Sequence, residues 1–311
     1  MRVLVTGGAG FIGANLVGEL VGREMSAVVL DDFSTGDRRN LEGVNAKLIE
    51  GTILDRAVLD EAFDGIDAVV HLAARPSVPR SLEDPIATNQ SNVTGTLEVL
   101  EAARRHGGPQ VIVASSSSVY GRNPVLPKRE DLVPMPMNPY AVSKLAGESY
   151  ALAYASCFGL DVLALRFFNV YGPLQSSGHA YAAVIPAFIS AALAGQPLIV
   201  HGDGEQTRDF TFVGSVARVI ADAIVRRVSD PGPVNLAFGE RTSLLVLIAE
   251  LEAILGQPLE RRHVEGRIGD VRESQADNTR LRGLFPAASA VPFRDGLEAT
   301  LAWNRRGARH S

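Results

Sequence analysis

The feature that most constrains this chain is the run Val5-Thr-Gly-Gly-Ala-Gly-Phe-Ile-Gly13, set directly behind the opening Met1-Arg-Val-Leu. Glycines at 7, 10 and 13 fall between a strand pattern and a helix pattern, and Gly8-Ala-Gly10-Phe-Ile-Gly13 also fits G-x-G-x-x-G. Glycine permits a tight turn and lets backbone N–H groups approach a pyrophosphate at a helix N-terminus. At the end of the next strand stand Asp31 and Asp32. A carboxylate at that point accepts both ribose hydroxyls and repels a 2′-phosphate, which selects NAD over NADP. Arg38 and Arg39 follow closely and read as solvated turn residues.

The rest of the first half repeats this rhythm. Arg2–Thr6, Ala27–Leu30, Ala46–Glu50, Ala68–Leu72, Gln110–Ser115 and Leu160–Arg166 read as strands, with helical spacing at Phe11–Val21, Ala57–Phe63, Ile86–Arg105 and Tyr140–Phe158. Such alternation predicts an α/β fold, a Rossmann-type doubly wound parallel sheet with helices on both faces. The site is expected at the carboxyl ends of the strands. After Gly172-Pro173 the rhythm changes to a polar loop, helices at Val184–Leu193, Val213–Val228 and Ser243–Leu255, short strands, and a terminal amphipathic helix over Val291–Arg305 with Trp303 packed inward. Residues 1–172 are therefore expected to form the dinucleotide-binding domain, with later segments returning to it. Residues 173–311 are expected to form mainly a smaller substrate-binding lobe.

Composition narrows the function classes. A net charge of -5 argues against nucleic acid as a partner. A single cysteine, Cys157, excludes an internal disulfide and a multi-cysteine metal site, so no metal is expected. Its apolar, helical surroundings predict a buried structural thiol. Glycines interrupt the apolar N-terminus from residue 7, so no signal peptide is read there, and no apolar run reaches the ~18 residues of a membrane span. A cytoplasmic protein is expected.

Tyr140 and Lys144 are four apart on a helical pattern and share a face. A free tyrosine, with a pKa of about 10, is a poor base at neutral pH. A neighbouring ammonium stabilises the phenolate and makes it a better one. A surface pair with helical spacing would look the same. The run Ala114-Ser-Ser-Ser-Ser-Val-Tyr-Gly121 favours chemistry, because it places hydroxyl donors at the end of the fifth strand. His71-Leu-Ala-Ala74 closes the fourth strand with small residues that leave room beside the backbone, and His71 itself reads as a packed histidine.

These segments, with Asp31-Asp-Phe-Ser-Thr-Gly36, Asn138-Pro-Tyr-Ala-Val-Ser-Lys144 and Arg166-Phe-Phe-Asn-Val-Tyr-Gly-Pro173, resemble the extended short-chain dehydrogenase/reductases over essentially the whole length. Within them the chain is closest in pattern to the UDP-galactose (UDP-N-acetylglucosamine) 4-epimerase family. The resemblance implies Tyr140 as general base, Lys144 as its electrostatic partner and ribose ligand, and Ser116 as the hydroxyl that orients the reacting oxygen. Hydride would pass from sugar C4 to NAD, the 4-keto sugar would turn over, and hydride would return to its other face. The implied cofactor contacts are Gly7, Gly10, Phe11, Ile12, Gly13, Asp31, Ser34, Thr35, Gly36, Thr52, Ile53, Leu72, Ala73, Ala74 and Asn92, besides Tyr140 and Lys144. Thr52 stands where the family usually carries an aspartate toward the adenine amine, so one hydrogen bond replaces a charged one; Asp55 does not read as its substitute.

The implied substrate is a UDP-sugar. Its contacts would be Ser77, Ser116, Ser117, Asn169, Gln175, Ala183, Val184, Arg208, Arg267, Asp270 and Ser274. Two arginines suit a diphosphate because the guanidinium fork is planar and permanently charged. Asp270 resembles the acid that holds the uridine ribose. Relatives restricted to plain hexoses often carry a tyrosine at the position of Ser274, and a serine leaves space for an N-acetyl group. UDP-N-acetylglucosamine/UDP-N-acetylgalactosamine is therefore the expected pair, with UDP-glucose/UDP-galactose beside it. Pro76 departs from the smaller residue usual at its position, which bears on sugar orientation. UDP-glucuronate 4-epimerases carry an arginine after the Gly172-Pro173 match and a threonine at that of Asn169; neither is present.

Two other readings stay open. Dehydratases and decarboxylases with this pattern place acids beside the catalytic hydroxyl, where this chain has Ser117 and Ser118. Such a reaction would need a carboxylate from elsewhere. A non-catalytic dinucleotide sensor could share the fold, though it would have little use for Ser116, Tyr140 and Lys144 together. The resemblance further implies a homodimer in which the helices near Ile86–Arg105 and Tyr140–Phe158 pair across a two-fold axis.

Overall fold

The computed structural model describes residues 1–176, 183–266 and 272–307. The first half runs β1 (Arg2–Thr6), α1 (Phe11–Gly22), β2 (Ser26–Asp31), β3 (Ala46–Glu50), α2 (Arg56–Ala62), β4 (Ala68–His71), α3 (Val78–Glu83), α4 (Pro85–Asn89), α5 (Gly95–Arg105), β5 (Gln110–Ser116), α6 (Pro139–Phe158) and β6 (Val162–Phe167). After it come β7 (Val170–Tyr171), α7 (Val184–Leu193), β8 (Leu198–His201), β9 (Thr207–Arg208), β10 (Thr211–Phe212) and α8 (Val213–Val225). The chain closes with β11 (Val234–Leu236), β12 (Thr242–Ser243), α9 (Leu244–Leu255), β13 (Arg261–Val264), α10 (Thr279–Leu284) and α11 (Phe293–Gly307).

Seven of these strands form one parallel sheet in the order β11-β6-β5-β4-β1-β2-β3. The strands are short, nearly continuous apolar runs because both faces are covered, as a parallel sheet requires. One face packs Leu16, Val17 and Leu20 of α1 with Val216, Ile220 and Ile224 of α8. The other packs Leu59 of α2, Val99 and Leu100 of α5 and Ala151 and Tyr154 of α6. A separate apolar cluster joins α7, α9 and α11 through Phe188, Ile189, Leu247, Leu251, Leu297 and Leu301. β11 and α8 lie late in the sequence yet complete the first sheet and its cover.

The helix expected over Ile86–Arg105 is broken by a π-helical turn at Gln90–Thr94. The extra residue per turn there aims Asn92 inward. Trp303 is half-buried, while Leu297, Thr300 and Leu301 make the inward face of α11. Cys157 corrects the expectation of a buried thiol: it is exposed. The reason lies in α6, which is apolar nearly all round. Its buried positions include Ser143, Gly147 and Glu148, whereas Val142, Tyr150 and Phe158 face outward with Cys157. Apolar neighbours in the sequence therefore do not mark the inside of this helix.

Candidate active site

The strand order reverses between β1 and β4, and in an open parallel sheet ligands bind outside the carboxyl ends at that reversal. Gly7 ends β1 with φ of 69°, and a Cβ there would lie 2.6 Å from the backbone nitrogen of Ala73. A Cβ on Gly13 would lie 2.3 Å from the carbonyl oxygen of Gly7. The three segments touch backbone to backbone, which only glycine allows. α1 starts at Gly10 with no side-chain cap, so its first-turn N–H groups, those of Phe11 and Ile12 among them, are offered to an anion rather than to the chain's own side chains.

Asp31 ends β2, buried, its Oδ2 accepting from the Ala9 N–H (2.9 Å) and its Oδ1 from the Phe33 N–H (2.8 Å). Burial pushes its carboxyl up and those two N–H groups draw it back. Gly36 sits against it, where a Cβ would come within 2.9 Å of Oδ1. Ser34 is committed to Asp32, whose Oδ1 accepts both its N–H (2.9 Å) and its hydroxyl (2.6 Å), and Thr35 beside it is exposed. Thr52 accepts the Leu54 N–H at 3.3 Å, while Ile53 buries its side chain in the core. Asp55 caps α2 and is occupied there. A glycine cradle, an uncapped helix start and a buried acceptor carboxylate fit a dinucleotide with a free ribose.

The floor of the crevice is held by His71. Its Nε2 lies 3.0 Å from the Thr96 hydroxyl, whose proton goes to the Asn92 carbonyl (2.7 Å). Nε2 must therefore carry the ring proton, and Nδ1 accepts from the Thr6 hydroxyl at 2.7 Å. Burial, and then the charge of Lys144, hold its pKa down at about 3, so the ring is neutral. Asn92 commits both of its N–H donors to the protein: Nδ2 donates to the Arg75 carbonyl (3.2 Å) and the Ser143 hydroxyl (2.9 Å), while Oδ1 accepts from Arg75 N–H (2.7 Å). It shapes the loop after Leu72, Ala73 and Ala74, which are half-buried, rather than offering a free amide to a ligand.

Across the crevice, Asn138 caps α6 by accepting the Ala141 N–H at 2.9 Å, and Pro139 occupies the first turn. That fixes Tyr140 and Lys144 one turn apart beside the end of β5. Ser116 Oγ accepts from both the N–H (3.1 Å) and the hydroxyl (2.9 Å) of Ser118. Its own proton is left for the Tyr140 oxygen, to which it is hydrogen-bonded. Burial pushes the Tyr140 phenol up, and the Ser116 bond pulls it back. Burial brings Lys144 down to about 8, against the opposing pull of Glu148. The arrangement can take a proton from a secondary alcohol and return it. Ser117 is half-buried beside it. Ser118, marked in the sequence only as a position without the dehydratase acid, is the residue that bonds back to Ser116 from two positions on.

The remaining predicted residues come from four loops. Ser77 has φ of 90°, and its buried hydroxyl has no hydrogen-bond partner in the protein. Gln175 donates to the Val170 carbonyl (3.2 Å) and keeps a buried Oε1 without a partner. Asn169, at φ of 29°, is exposed and donates to the Asp209 carbonyl at 3.3 Å. Arg208 is half-buried and donates to the Thr207 carbonyl at 2.9 Å. Ser274 is half-buried and donates its N–H to the same carbonyl at 3.1 Å, while the buried Thr207 hydroxyl lacks a partner. Ala183 and Val184 start α7. Arg267 and Asp270 lie outside the described residues. Sequence reading missed Asp209, which ties the segments near residues 169, 239 and 276 together: its carbonyl accepts from Asn169, and its buried Oδ2 accepts from Gly239 N–H (3.1 Å) and Ala276 N–H (3.0 Å). Among the described residues no group of three or more His, Cys, Asp or Glu side chains is placed to hold a metal.

The model of the NAD dependent epimerase/dehydratase family matches residues 3–237. The chain belongs to that family, and NAD is its cofactor. It is 38% identical to a UDP-glucose 4-epimerase of Mycolicibacterium smegmatis, covering 98% of this chain and 99% of that one. It is 34% identical to a UDP-N-acetyl-alpha-D-glucosaminuronate decarboxylase of Bacillus cytotoxicus, covering 98% of each. Among solved structures, the UDP-N-acetylglucosamine 4-epimerase of Methanobrevibacter ruminantium, in complex with UDP-N-acetylmuramic acid, superposes with a TM-score of 0.94 at 35% identity, covering 98% of both chains. Among the described residues no helix is long and apolar enough to cross a membrane.

Proposed function

We propose that this protein interconverts the C4 epimers of a UDP-hexose, UDP-N-acetylglucosamine and UDP-N-acetylgalactosamine first and UDP-glucose and UDP-galactose second. The observation that carries the reading is the Ser116–Tyr140–Lys144 constellation at the mouth of a dinucleotide crevice, with a serine at 118 in place of an acid. Gly7, Gly10, Phe11, Ile12 and Gly13 would hold the pyrophosphate of NAD, Asp31 its adenosine ribose, and Lys144 the other ribose. When bound, NAD supplies a two-electron acceptor and donor. Tyr140 takes the proton of the sugar 4-hydroxyl and later returns it to the 4-keto oxygen, which Ser116 would hold by turning its proton from the Tyr140 oxygen to the sugar. Lys144, as an ammonium, stabilises the phenolate between the two transfers.

For the substrate, Ser77, Gln175 and Thr207 present buried polar atoms without partners in the protein, which a sugar's hydroxyls would satisfy. Asn169, Arg208 and Arg267 would take the diphosphate, Asp270 the uridine ribose, and Ser117, Ala183, Val184 and Ser274 the sugar and base. The small side chain of Ser274 supports an N-acetyl substrate. The dehydratase and decarboxylase readings need a further acid or base. Glu148, the buried carboxylate two turns beyond Tyr140, is spent on Ser115 and Arg166.

Residues 1–172, completed by α8 and β11, would make the cofactor domain, and the α7–α9–α11 cluster the substrate lobe. The outward face of α6, with Val142, Tyr150 and Phe158, and Ile86 of α4 leave large apolar side chains in solvent, which supports a homodimer closed over these helices. Light scattering would read a mass of two chains, and a monomer would remove that assignment. The activity is tested by proton NMR of each UDP-sugar incubated with the purified protein. The galacto epimer is expected without net NADH, and an unsaturated or 4-keto-6-deoxy product would replace this reading with the dehydratase one.

A further inference from the structure

We propose that Glu148 is a positioning residue that keeps Lys144 an ammonium and ties the strand carrying Ser116, and the strand that leads to Asn169, to the helix carrying Tyr140. The inference rests on the roles given above to Tyr140 and Lys144. Glu148 lies one helical turn beyond Lys144 and two beyond Tyr140, on the same face of α6. It is 3% exposed, and its partner Arg166, on β6, is 2% exposed. Glu148 Oε1 accepts from Arg166 Nη2 (2.7 Å), and Oε2 accepts from Arg166 Nε (2.9 Å) and the Ser115 hydroxyl (2.6 Å). One carboxylate thus joins β5 at the residue before Ser116, α6, and β6 three residues before Asn169.

Arg166 is held in turn. Its guanidinium lies 4.7 Å from the centre of the Tyr120 ring, and the Tyr120 hydroxyl donates to Asn235 Oδ1 at 2.6 Å on β11. The electrostatics follow from the count of charges. Lys144 and Arg166 are cations, and Glu148 is the anion paired with Arg166 one helical turn from Lys144, while His71, on β4, is neutral. Burial alone drives Lys144 toward the neutral amine, and Glu148 is the group that opposes it. A neutral Lys144 has no charge with which to stabilise the Tyr140 phenolate. A buried ion pair contributes little net stability compared with apolar residues of the same volume, so a bidentate pair at this place is better explained by the charge it leaves on Lys144.

The test is Glu148→Gln in the full-length protein, which keeps an acceptor for Arg166 and Ser115 but removes the charge. The Lys144 titration is read by pH-dependent competitive acetylation with acetic anhydride, quantified by mass spectrometry. This readout does not depend on which sugar is turned over, so it fails separately from the activity assignment. The Lys144 midpoint is expected to fall by at least a full pH unit, a tenfold loss of proton affinity. The alkaline limb of kcat should move to lower pH by the same amount with KM unchanged. A variant that is less heat-stable but has an unmoved Lys144 midpoint and kcat profile overturns the proposal. If Glu148→Gln does not fold, the double replacement Glu148→Met with Arg166→Met leaves no unpaired buried charge. The Lys144 midpoint should still fall, by less than in Glu148→Gln because the Arg166 cation leaves with the carboxylate, and an unmoved midpoint there overturns the proposal equally.

Discussion

The two halves of the site are each built over one buried titratable group, and the two groups respond to pH in opposite senses. Under the cofactor half, His71 is fully satisfied by Thr6 and Thr96 and held neutral at a pKa of about 3. Under the substrate half, Asp209 has N–H donors on Oδ2 only, and its buried Oδ1 has no partner. Burial, the largest cause, lifts it to about 6. The histidine's pKa is depressed below its unfolded value, so its stabilisation is present above about pH 6.5 and is lost as pH falls toward 3. The aspartate's is raised, so its contribution is present below the unfolded pKa near 3.8 and is lost as pH rises through 6. His71 leaves no ring atom unmet, whereas the half proposed for the substrate keeps unmet polar capacity at Ser77, Thr207, Gln175 and Asp209.

The comparison predicts a graded set of effects. Tyr140→Phe should lower turnover by about 10³-fold while leaving folding and NAD retention intact, since it removes only the proton carrier. A comparable loss of bound NAD in that variant would show that Tyr140 belongs to the cradle instead. Gly7→Ala forces a Cβ against the Ala73 backbone at positive φ and should cost a few kcal/mol, read as a lower Tm and weaker NAD binding by calorimetry. An unchanged Tm would mean that the crevice is looser than its backbone contacts imply. Asp209→Asn should remove up to about 3 kcal/mol of the stability difference between pH 4 and pH 7, measured by urea unfolding against the parent. Identical pH dependence in the two proteins would place the unmet carboxylate elsewhere. Ser274→Tyr should shift selectivity toward UDP-glucose over UDP-N-acetylglucosamine by roughly tenfold in kcat/KM. Equal selectivity would move the N-acetyl contact away from residue 274.

The same division explains what could be read from the sequence. The cofactor half is local: Gly7 to Gly13, Asp31, His71 and the Tyr140–Lys144 turn each lie within one strand end or helix turn, so spacing alone marks them. The substrate half is assembled from segments around residues 77, 169, 208 and 274, brought together by the tertiary fold. Asp209 was missed because its partners, Gly239 and Ala276, are backbone groups 30 and 67 residues away that leave no side-chain signature. The π-helical turn that directs the Asn92 amide to Arg75 and Ser143 has no marker in the sequence. Cys157 was read as buried because its local stretch of α6, Tyr150 to Phe158, is mostly apolar and hides which face is outside.

The account's central claim is that the hydrogen at sugar C4 leaves and returns to the same molecule while Tyr140 handles only the proton on oxygen. The most direct test is turnover of UDP-N-acetylglucosamine carrying deuterium at C4, followed by NMR and mass spectrometry. The claim predicts a galacto epimer with the deuterium still at C4 and, when unlabelled substrate is turned over in D2O, no solvent deuterium at C4 or C5. Loss of the C4 label to solvent would contradict it, and migration of the label to C6 with solvent deuterium at C5 would indicate elimination chemistry in its place.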